Sequence, residues 1–212
     1  MNKANINNRC FFVRGAIPFI IAGFIFTAIS AVFGHIIVSV FFGLITCFVA
    51  FFFRDPARPI SVSGKEILAP ADGKIVEIRD TGDYKKVSIF MSLLNVHVNR
   101  IPVNGVIKEV VHTPGRFLRA DADEASKQNE QNRVVLIPDG HTDPFLLIQV
   151  AGLIARRIIC WVKEGDRVIA GQRFGLICFG SRVELFLDKR CNIIVTLGQK
   201  VRAGINVIGY MP

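Results

Sequence analysis

An uncharged, strongly apolar segment near the N-terminus constrains this chain more than any other feature. From Gly15 to Phe53 there is no Lys, Arg, Asp or Glu. At a rise of about 1.5 Å per residue, one continuous helix over this segment would be roughly 58 Å long, about twice the thickness of the hydrocarbon core of a membrane. The segment therefore predicts two short membrane-spanning helices that fold back at Gly34–His35. A single tilted span and a hairpin confined to one leaflet are the alternatives.

Basic residues flank this segment on both sides and predict its orientation. They are Lys3, Arg9 and Arg14 before it, and Arg54 and Arg58 after it. Because positively charged residues near membrane spans stay on the cytoplasmic side, both ends of the hairpin are predicted to lie in the cytoplasm. The apolar stretch is too long for a cleaved signal peptide. We therefore expect residues 1–53 to form an anchor in the cell membrane and residues 54–212 to form a cytoplasmic domain.

The net charge of the chain is +9, although 51% of its residues are hydrophobic. The basic residues are scattered and no recognised nucleic-acid-binding motif accompanies them, so no nucleic-acid partner is predicted. Near an anionic membrane surface each basic side chain contributes about 1 kcal/mol to binding. Anionic membrane lipids are therefore the expected partners of this charge.

The five cysteines form no recognisable framework. They are odd in number, contain no Cys-x-x-Cys pair, and stand at Cys10, Cys47, Cys160, Cys178 and Cys191. This usage argues against both a set of disulfides and a zinc site, and it suits a reducing compartment.

The composition changes at Arg54–Pro56, after which short β-branched runs alternate with Gly and Asp turns. Such runs predict strands. The candidates are Lys74–Arg79, Lys86–Met91, Gly105–His112, Arg133–Pro138, Phe145–Val150, Ile158–Val162, Arg167–Ile169, Gly175–Cys178, Val183–Leu187 and Ile193–Leu197. The segment Val162–Gly175 resembles, in architecture only, the turns of lipoyl-like barrel-sandwich hybrids. The predicted fold class is mainly β: an antiparallel β-sandwich or barrel-sandwich-hybrid-like domain preceded by an N-terminal membrane helical hairpin.

A Gly-Ser step at Gly180–Ser181 lies in an apolar, strand-like run and is the first candidate for chemistry. A serine hydroxyl held against the preceding carbonyl can attack it and move the acyl group from nitrogen to oxygen, and glycine leaves that approach unobstructed. Removal of the Cα proton of Ser181 would then eliminate the ester, and hydrolysis would leave a pyruvoyl group and ammonia. An isolated Gly-Ser is most often a turn dipeptide, so the step alone does not establish this chemistry.

Three further segments change the interpretation of this step, and they combine with Phe179–Arg182 into an ordered set. They are Ala69–Lys74, Phe90–Gly105 and Pro114–Leu118, and Phe53–Pro56, just after the apolar segment, adds to them. This ordered set resembles the phosphatidylserine decarboxylase proenzymes, specifically their short bacterial and archaeal branch. The resemblance covers essentially the whole chain.

The resemblance implies an enzyme that cuts itself at Gly180–Ser181 into a β chain of residues 1–180 and an α chain of residues 181–212, which stay together as a heterodimer. Its cofactor would be the covalent pyruvoyl group derived from Ser181, which would form a Schiff base with phosphatidylserine and convert it to phosphatidylethanolamine. In the family's self-cleavage arrangement an aspartate and a histidine support the serine, and the matching positions are Asp72 and His97. Nothing in the sequence suggests a metal, a nucleotide or pyridoxal phosphate.

The chemistry of this set can also be stated from the residue types. Histidine is the natural base near neutral pH, and a neighbouring carboxylate would orient its ring. His97 is also a candidate proton donor for the substrate, and Arg100 is a candidate for binding lipid phosphate or carboxylate. Longer relatives can carry a second histidine in this region, so Arg100 departs from their pattern. The alternatives are a turn aspartate at Asp72 and a half-buried histidine in a strand at His97.

Two other functions remain open from the sequence. The first is a non-catalytic membrane-bound β-sandwich adaptor on the same scaffold. The second is a decarboxylase of a related serine lipid, such as an ether lipid, because apolar surfaces without a motif would recognise the lipid backbone.

Overall fold

The computed structural model describes residues 11–60, 64–116, 128–152, 157–178 and 181–212. The chain divides into two compact units, one that ends at Ala57 and one that runs from Arg58 to Pro212.

The N-terminal unit is a pair of apolar helices. A short 3-10 turn, Arg14–Ala16, leads into helix α1 (Ile17–Val32), and helix α2 follows at Ile36–Phe52. Gly34 separates them with a φ of +79°, a left-handed conformation that glycine adopts without strain. The helices therefore break at the position where the sequence predicted the chain to fold back.

Small and hydroxyl-bearing residues hold the two helices together. A Cβ added at Gly23 would lie 2.4 Å from Oγ1 of Thr46, so the glycine allows close approach of the helices. The hydroxyls of Ser30 and Ser39 lie 2.9 Å apart in a hydrogen bond. Most of the large apolar side chains point away from this contact, and Ile37 is 86% exposed. By length and composition, the helical stretch Arg14–Val32 can cross a membrane, whereas α2 is shorter.

The second unit is built from strands. In chain order they are β1 (Glu66–Leu68), β2 (Gly73–Asp80), β3 (Tyr84–Met91), β4 (Val98–Arg100), β5 (Gly105–Thr113), β6 (Gln131–Pro138), β7 (Phe145–Val150), β8 (Ile158–Cys160), β9 (Arg167–Val168), β10 (Arg173–Ile177), β11 (Ser181–Asp188), β12 (Asn192–Ile193), β13 (Lys200–Val201) and β14 (Val207–Tyr210). The pairings between these strands are antiparallel. The predicted mainly β, antiparallel fold class is confirmed.

Within the described residues, the strands form three sheets that share a large apolar core. The largest sheet has the order β13-β2-β3-β11-β7-β6-β5-β9, and the two smaller ones have the orders β4-β10-β8 and β1-β14-β12. All three contribute to the same apolar cluster, for example through Leu185 of β11, Phe174 of β10 and Ile67 of β1. Strand β11 lies near the middle of the large sheet, between β3 and β7. Its first residue, Ser181, pairs with β3, and its pairing with β7 begins one residue later.

Candidate functional site

Ser181 is the first residue of β11 and is fully buried. It pairs directly with Met91, the last residue of β3, so the two side chains lie on the same face of the sheet. Its Oγ has no hydrogen-bond partner within the described part of the chain. A buried hydroxyl without a hydrogen-bond partner costs about 1–3 kcal/mol of folding stability. A protein that keeps such a group usually needs it for another purpose, such as chemistry. Gly180, the other half of the predicted cleavage site, lies outside the described residues.

The fold brings the predicted motifs to this end of β11. The backbone N–H of Ile177, four residues before Ser181, donates to the carbonyl of His97 at 3.4 Å. The N–H of Arg100 donates to the carbonyl of Pro70 at 2.8 Å, which places the segment before Asp72 against β4. Segments far apart in the sequence therefore converge through strand pairing and the loops that leave it.

His97 is fully buried, and its ring is oriented by the main chain. Its Nδ1 lies 2.9 Å from the carbonyl oxygen of Asn95. Because a carbonyl oxygen can only accept a hydrogen bond, Nδ1 must carry the proton. In the neutral ring, Nε2 is then the nitrogen that can accept a proton, as a general base requires.

Asp72 is buried and makes its contacts with a residue that the sequence analysis had not placed in the site. Nη1 and Nη2 of Arg58 donate to its two carboxylate oxygens at 2.7 and 2.9 Å, and the N–H of Ala203 donates to Oδ1 at 2.8 Å. Arg58 also donates to the carbonyl of Ala203 at 2.7 Å. Within the described residues, none of the hydrogen bonds of Asp72 goes to His97. In the sequence, Arg58 stood out only as a basic residue shortly after the apolar segment, which did not indicate a role in the site.

We expect Asp72→Asn to destabilise the second unit by about 3–5 kcal/mol. The amide N–H₂ of asparagine would face Nη2 of Arg58, so two donors would meet, and the guanidinium would lose its counter-charge. Both side chains are buried, with exposed fractions of 6% for Arg58 and 10% for Asp72. Urea unfolding, monitored by circular dichroism in a Ser181→Ala background, measures this loss without interference from self-cleavage.

Asp139→Asn is the matched control for this prediction. Asp139 pairs with Arg167 at 3.1 Å on the surface, where the exposed fractions are 43% and 73%. Exposed pairs contribute about 1 kcal/mol or less. Equal decreases in the free energy of unfolding for the two variants would show that the Arg58–Asp72 pair stabilises the fold no more than a surface pair does.

Arg100 is 3% exposed, so its side chain lies inside the unit. Its Nη1 donates to the carbonyl of Gly171 at 3.0 Å. A Cβ added at Gly204 would lie 2.9 Å from Cδ of Arg100, so the stem of this side chain passes close to the turn at Gly204. The guanidinium therefore supports the main chain here, and a role in substrate binding stays a prediction.

A buried chain of amide side chains runs toward Ser181 and was not predicted from the sequence. Asn132 donates to Gln149 at 2.9 Å, Gln149 donates to Asn99 at 2.7 Å, and Asn99 donates to Sδ of Met91 at 3.5 Å. These side chains are at most 2% exposed. Since a thioether is a weak acceptor, the last N–H of this chain, on Asn99, makes only a weak hydrogen bond. It lies beside Met91, the residue that pairs with Ser181.

Charged side chains on β11 lie on the face opposite Ser181. Glu184 alternates with Ser181 along the strand and accepts from Lys86 at 3.2 Å, and Lys86 also reaches Glu77 at 2.8 Å. Burial raises the pKa of Glu77, but the combined effect of Lys86, Ser88 and Arg79 outweighs it, so the pKa is lowered overall. The buried carboxylate of Glu184 therefore does not face Ser181.

Cys178, three residues before Ser181, is a thiol at neutral pH. Burial raises its pKa, and the charge of Arg157 opposes this effect only partly. A protonated thiol is a poor nucleophile, so Ser181 is the better candidate for attack on a neighbouring carbonyl.

A cavity of about 470 Å³ lies at the other end of β11, where Phe186–Arg190 and Asp143 line it. Arg190 contacts both Asp188 and Asp143 there, and its hydrogen bonds lower the pKa of Asp188 to about 2. Arg190 thus pairs with both carboxylates, and the cavity lies a full strand length from Ser181.

Comparison with known proteins gives a consistent result. Residues 45–209 match the family model described as phosphatidylserine decarboxylase. A protein of Syntrophus aciditrophicus strain SB is 45% identical over 208 residues, which cover 94% of this chain and 97% of that protein. One of Desulfotalea psychrophila is 41% identical over 93% of this chain and 95% of its own length, and one of Ralstonia nicotianae is 47% identical over 80% and 81%. All three are named phosphatidylserine decarboxylase proenzyme.

Proposed function

The chain belongs to the phosphatidylserine decarboxylase family, and from this premise we propose that it cuts itself between Gly180 and Ser181 and uses residue 181 as its catalytic group. As a member of this family it is a lyase that removes CO2 from phosphatidylserine, leaves phosphatidylethanolamine, and depends on a covalent pyruvoyl group made from a serine.

The observation that carries the assignment to Ser181 is its buried hydroxyl without a hydrogen-bond partner in the described structure. A pyruvoyl group at this position fits the surroundings, because a methyl group replaces the hydroxymethyl group and the ketone oxygen replaces the amide nitrogen on Cα. The apolar neighbours Met91 and Val183 suit the methyl group, and the N–H of Asn99 at Met91 is a nearby donor for a carbonyl oxygen.

The proposed self-cleavage balances as follows. Oγ of Ser181 forms a bond to the carbonyl carbon of Gly180, and the bond from that carbon to the nitrogen of residue 181 breaks, which leaves an ester and an amine. Removal of the Cα proton of residue 181 then breaks the bond between Cβ and Oγ and releases the carboxylate of Gly180. Water replaces the nitrogen of the resulting dehydroalanine, so that ammonia leaves and a ketone remains.

His97 is the proposed base in this sequence. Its Nδ1 is committed to Asn95, so Nε2 takes the proton. Positioned bases of this kind contribute about 10²- to 10⁴-fold to a rate. After CO2 leaves the substrate, the same Nε2 is the proposed donor of the proton that the headgroup carbon needs.

The pyruvoyl group, once formed, supplies an electron sink for the electron pair that the departing CO2 leaves behind. Asp72 is proposed to act together with Arg58, as a carboxylate that holds the entry to β2 in place for self-cleavage. Arg100 is proposed to contribute positive charge that favours the anionic substrate.

The proposal for localisation rests on the apolar hairpin. Helices α1 and α2 would lie in the cell membrane, with the second unit on the cytoplasmic side and basic residues near anionic lipids. The large chain, residues 1–180, would carry the anchor. The small chain, residues 181–212, would stay bound through β11, which pairs with both β3 and β7.

The mass of the small fragment tests the proposed function. We expect purified protein to yield a fragment whose mass equals residues 181–212 with a ketone in place of the N-terminal amine, together with release of CO2 from phosphatidylserine. Uncut protein without activity, or a fragment that begins at another residue, would contradict the assignment.

A further inference from the structure

A tight turn joins the two parts of the site that carry Met91 and His97. Its ends are Ser92 and Asn95, and the N–H of Asn95 donates to the carbonyl of Ser92 at 3.0 Å. The side-chain oxygen of Asn95 accepts from both the N–H and the hydroxyl of Ser92, at 2.9 and 2.8 Å. Three hydrogen bonds therefore fix this turn.

The turn is coupled to the catalytic histidine. The carbonyl of Asn95, the residue that closes the turn, orients Nδ1 of His97. On the other side, Ser92 directly follows Met91, which pairs with Ser181. Position 94, at the tip of the turn, directly precedes Asn95, whose carbonyl orients His97. A contact made at the tip is thus one residue away from that carbonyl.

The tip of the turn consists of Leu93 and Leu94. Gly, Pro, Asn, Asp and Ser usually occupy such positions because of their conformational or hydrogen-bonding properties, and leucine has neither. Leu94 is 67% exposed and Leu93 is 36% exposed. Ser92 and Asn95 supply the turn chemistry, so nothing within the turn requires two leucines at its tip.

We propose that the Leu93–Leu94 tip inserts into the lipid bilayer and places the site against the surface from which substrate is drawn. This inference rests on the proposed function. The substrate is a membrane lipid, whereas residue 181 is fully buried. Its headgroup must therefore pass from the bilayer into the unit, and the tip is the exposed apolar part of the segment that links the two halves of the site.

A fluorescence experiment tests this contact without any need for activity. Trp161 is the only tryptophan of the chain, so Trp161→Phe gives a dark background. In that background, the indole introduced by Leu94→Trp is expected to be quenched when the full chain is reconstituted in vesicles of phosphatidylcholine brominated on its acyl chains.

Leu197→Trp is the matched control. Leu197 is 64% exposed and lies in a turn that Gln199 closes in the same manner, with its side-chain oxygen accepting from the N–H of Thr196 at 3.0 Å. The apolar hairpin is present in both proteins. Quenching at position 94 but not at position 197 supports the proposal. Absence of quenching at position 94, or equal quenching at both positions, overturns it.

A kinetic experiment tests the consequence for catalysis. We expect the double variant Leu93→Gln, Leu94→Gln to lower kcat/KM for long-chain phosphatidylserine in vesicles by about tenfold or more, because two apolar side chains lose their burial in lipid. Activity on dihexanoyl phosphatidylserine below its critical micelle concentration should stay within about twofold of the parent. Leu197→Gln should leave both activities unchanged.

The other possible outcomes of these two experiments also test the proposal. Equal losses on both substrates, with self-cleavage complete by mass, would show that the turn acts only by holding His97. A changed oligomeric state of the double variant without quenching at position 94 would show that a second copy of the chain covers the tip. Quenching at position 94 in a chain that neither cleaves nor decarboxylates would refute the proposed function and leave the bilayer contact standing.

Discussion

Purified Ser181→Ala protein is expected to keep its full-length mass during prolonged incubation. Without Oγ, nothing at this position can attack the carbonyl of Gly180, and no ketone can form. Decarboxylation should fall by at least about 10⁶-fold, because the variant loses the electron sink on which the whole rate enhancement depends. Intact-mass measurement and release of CO2 from phosphatidylserine check the two halves of this prediction.

The variant should fold normally, which makes its inactivity informative. Oγ of Ser181 has no hydrogen-bond partner in the described structure, so alanine removes an unsatisfied polar group and leaves no partner behind. The stability should be unchanged or raised by about 1 kcal/mol. Circular dichroism and urea unfolding measure this directly.

Ser88→Ala is the matched control. Ser88 is also fully buried and lies on the neighbouring strand, where its hydroxyl donates to Glu77 at 2.9 Å. This variant should lose some stability and still cut itself. Cleavage in Ser181→Ala, or its absence in Ser88→Ala, would contradict the role of Ser181.

Strands with alternating or continuous apolar residues were predictable from the sequence. The strand predicted at Phe145–Val150 has those bounds in the structure, and Val183–Leu187 lies inside β11. By contrast, β4 was missed because it is only three residues long and buries Asn99 and Arg100 together with Val98, so it shows no polar-apolar alternation. The strand predicted at Ile193–Leu197 is correct only at its start, since β12 ends at Ile193.

The contacts within the site were harder to predict than its residues. Asn99 and Gln149 are 50 positions apart and lie in different sheets, so their hydrogen bond depends on how the two sheets meet. Asp72 meets Arg58, although the resemblance to the family placed it with His97 in support of the serine. The ring of His97 is held by a carbonyl two residues away, and no side-chain motif reveals a main-chain acceptor. Register and loop geometry decide such contacts, and residue patterns in a single sequence do not reveal which distant segments will meet.

His97→Asn is expected to slow self-cleavage by about 10²- to 10⁴-fold, so that uncut precursor accumulates. Asparagine is the informative replacement because its amide N–H can still donate to the carbonyl of Asn95, as Nδ1 of His97 does. The hydrogen bond and the local fold are then kept, while the basic nitrogen is lost. The mass of the small fragment, followed over time after refolding, gives the rate.

His112→Asn is the control for this substitution. His112 lies in β5 with half of its side chain exposed, and its Nε2 is 3.7 Å from Glu130, so the same change there should leave cleavage unaffected. Cleavage of His97→Asn at the parent rate would remove His97 from the self-cleavage machinery. Any fragment that the variant does form can be assayed for decarboxylation per mole of fragment. Cleavage and protonation are separate steps, and they share His97 only in the proposed mechanism. A lower rate of decarboxylation per fragment would therefore assign the proton delivered after CO2 release to Nε2 of His97. A normal rate would require another proton donor.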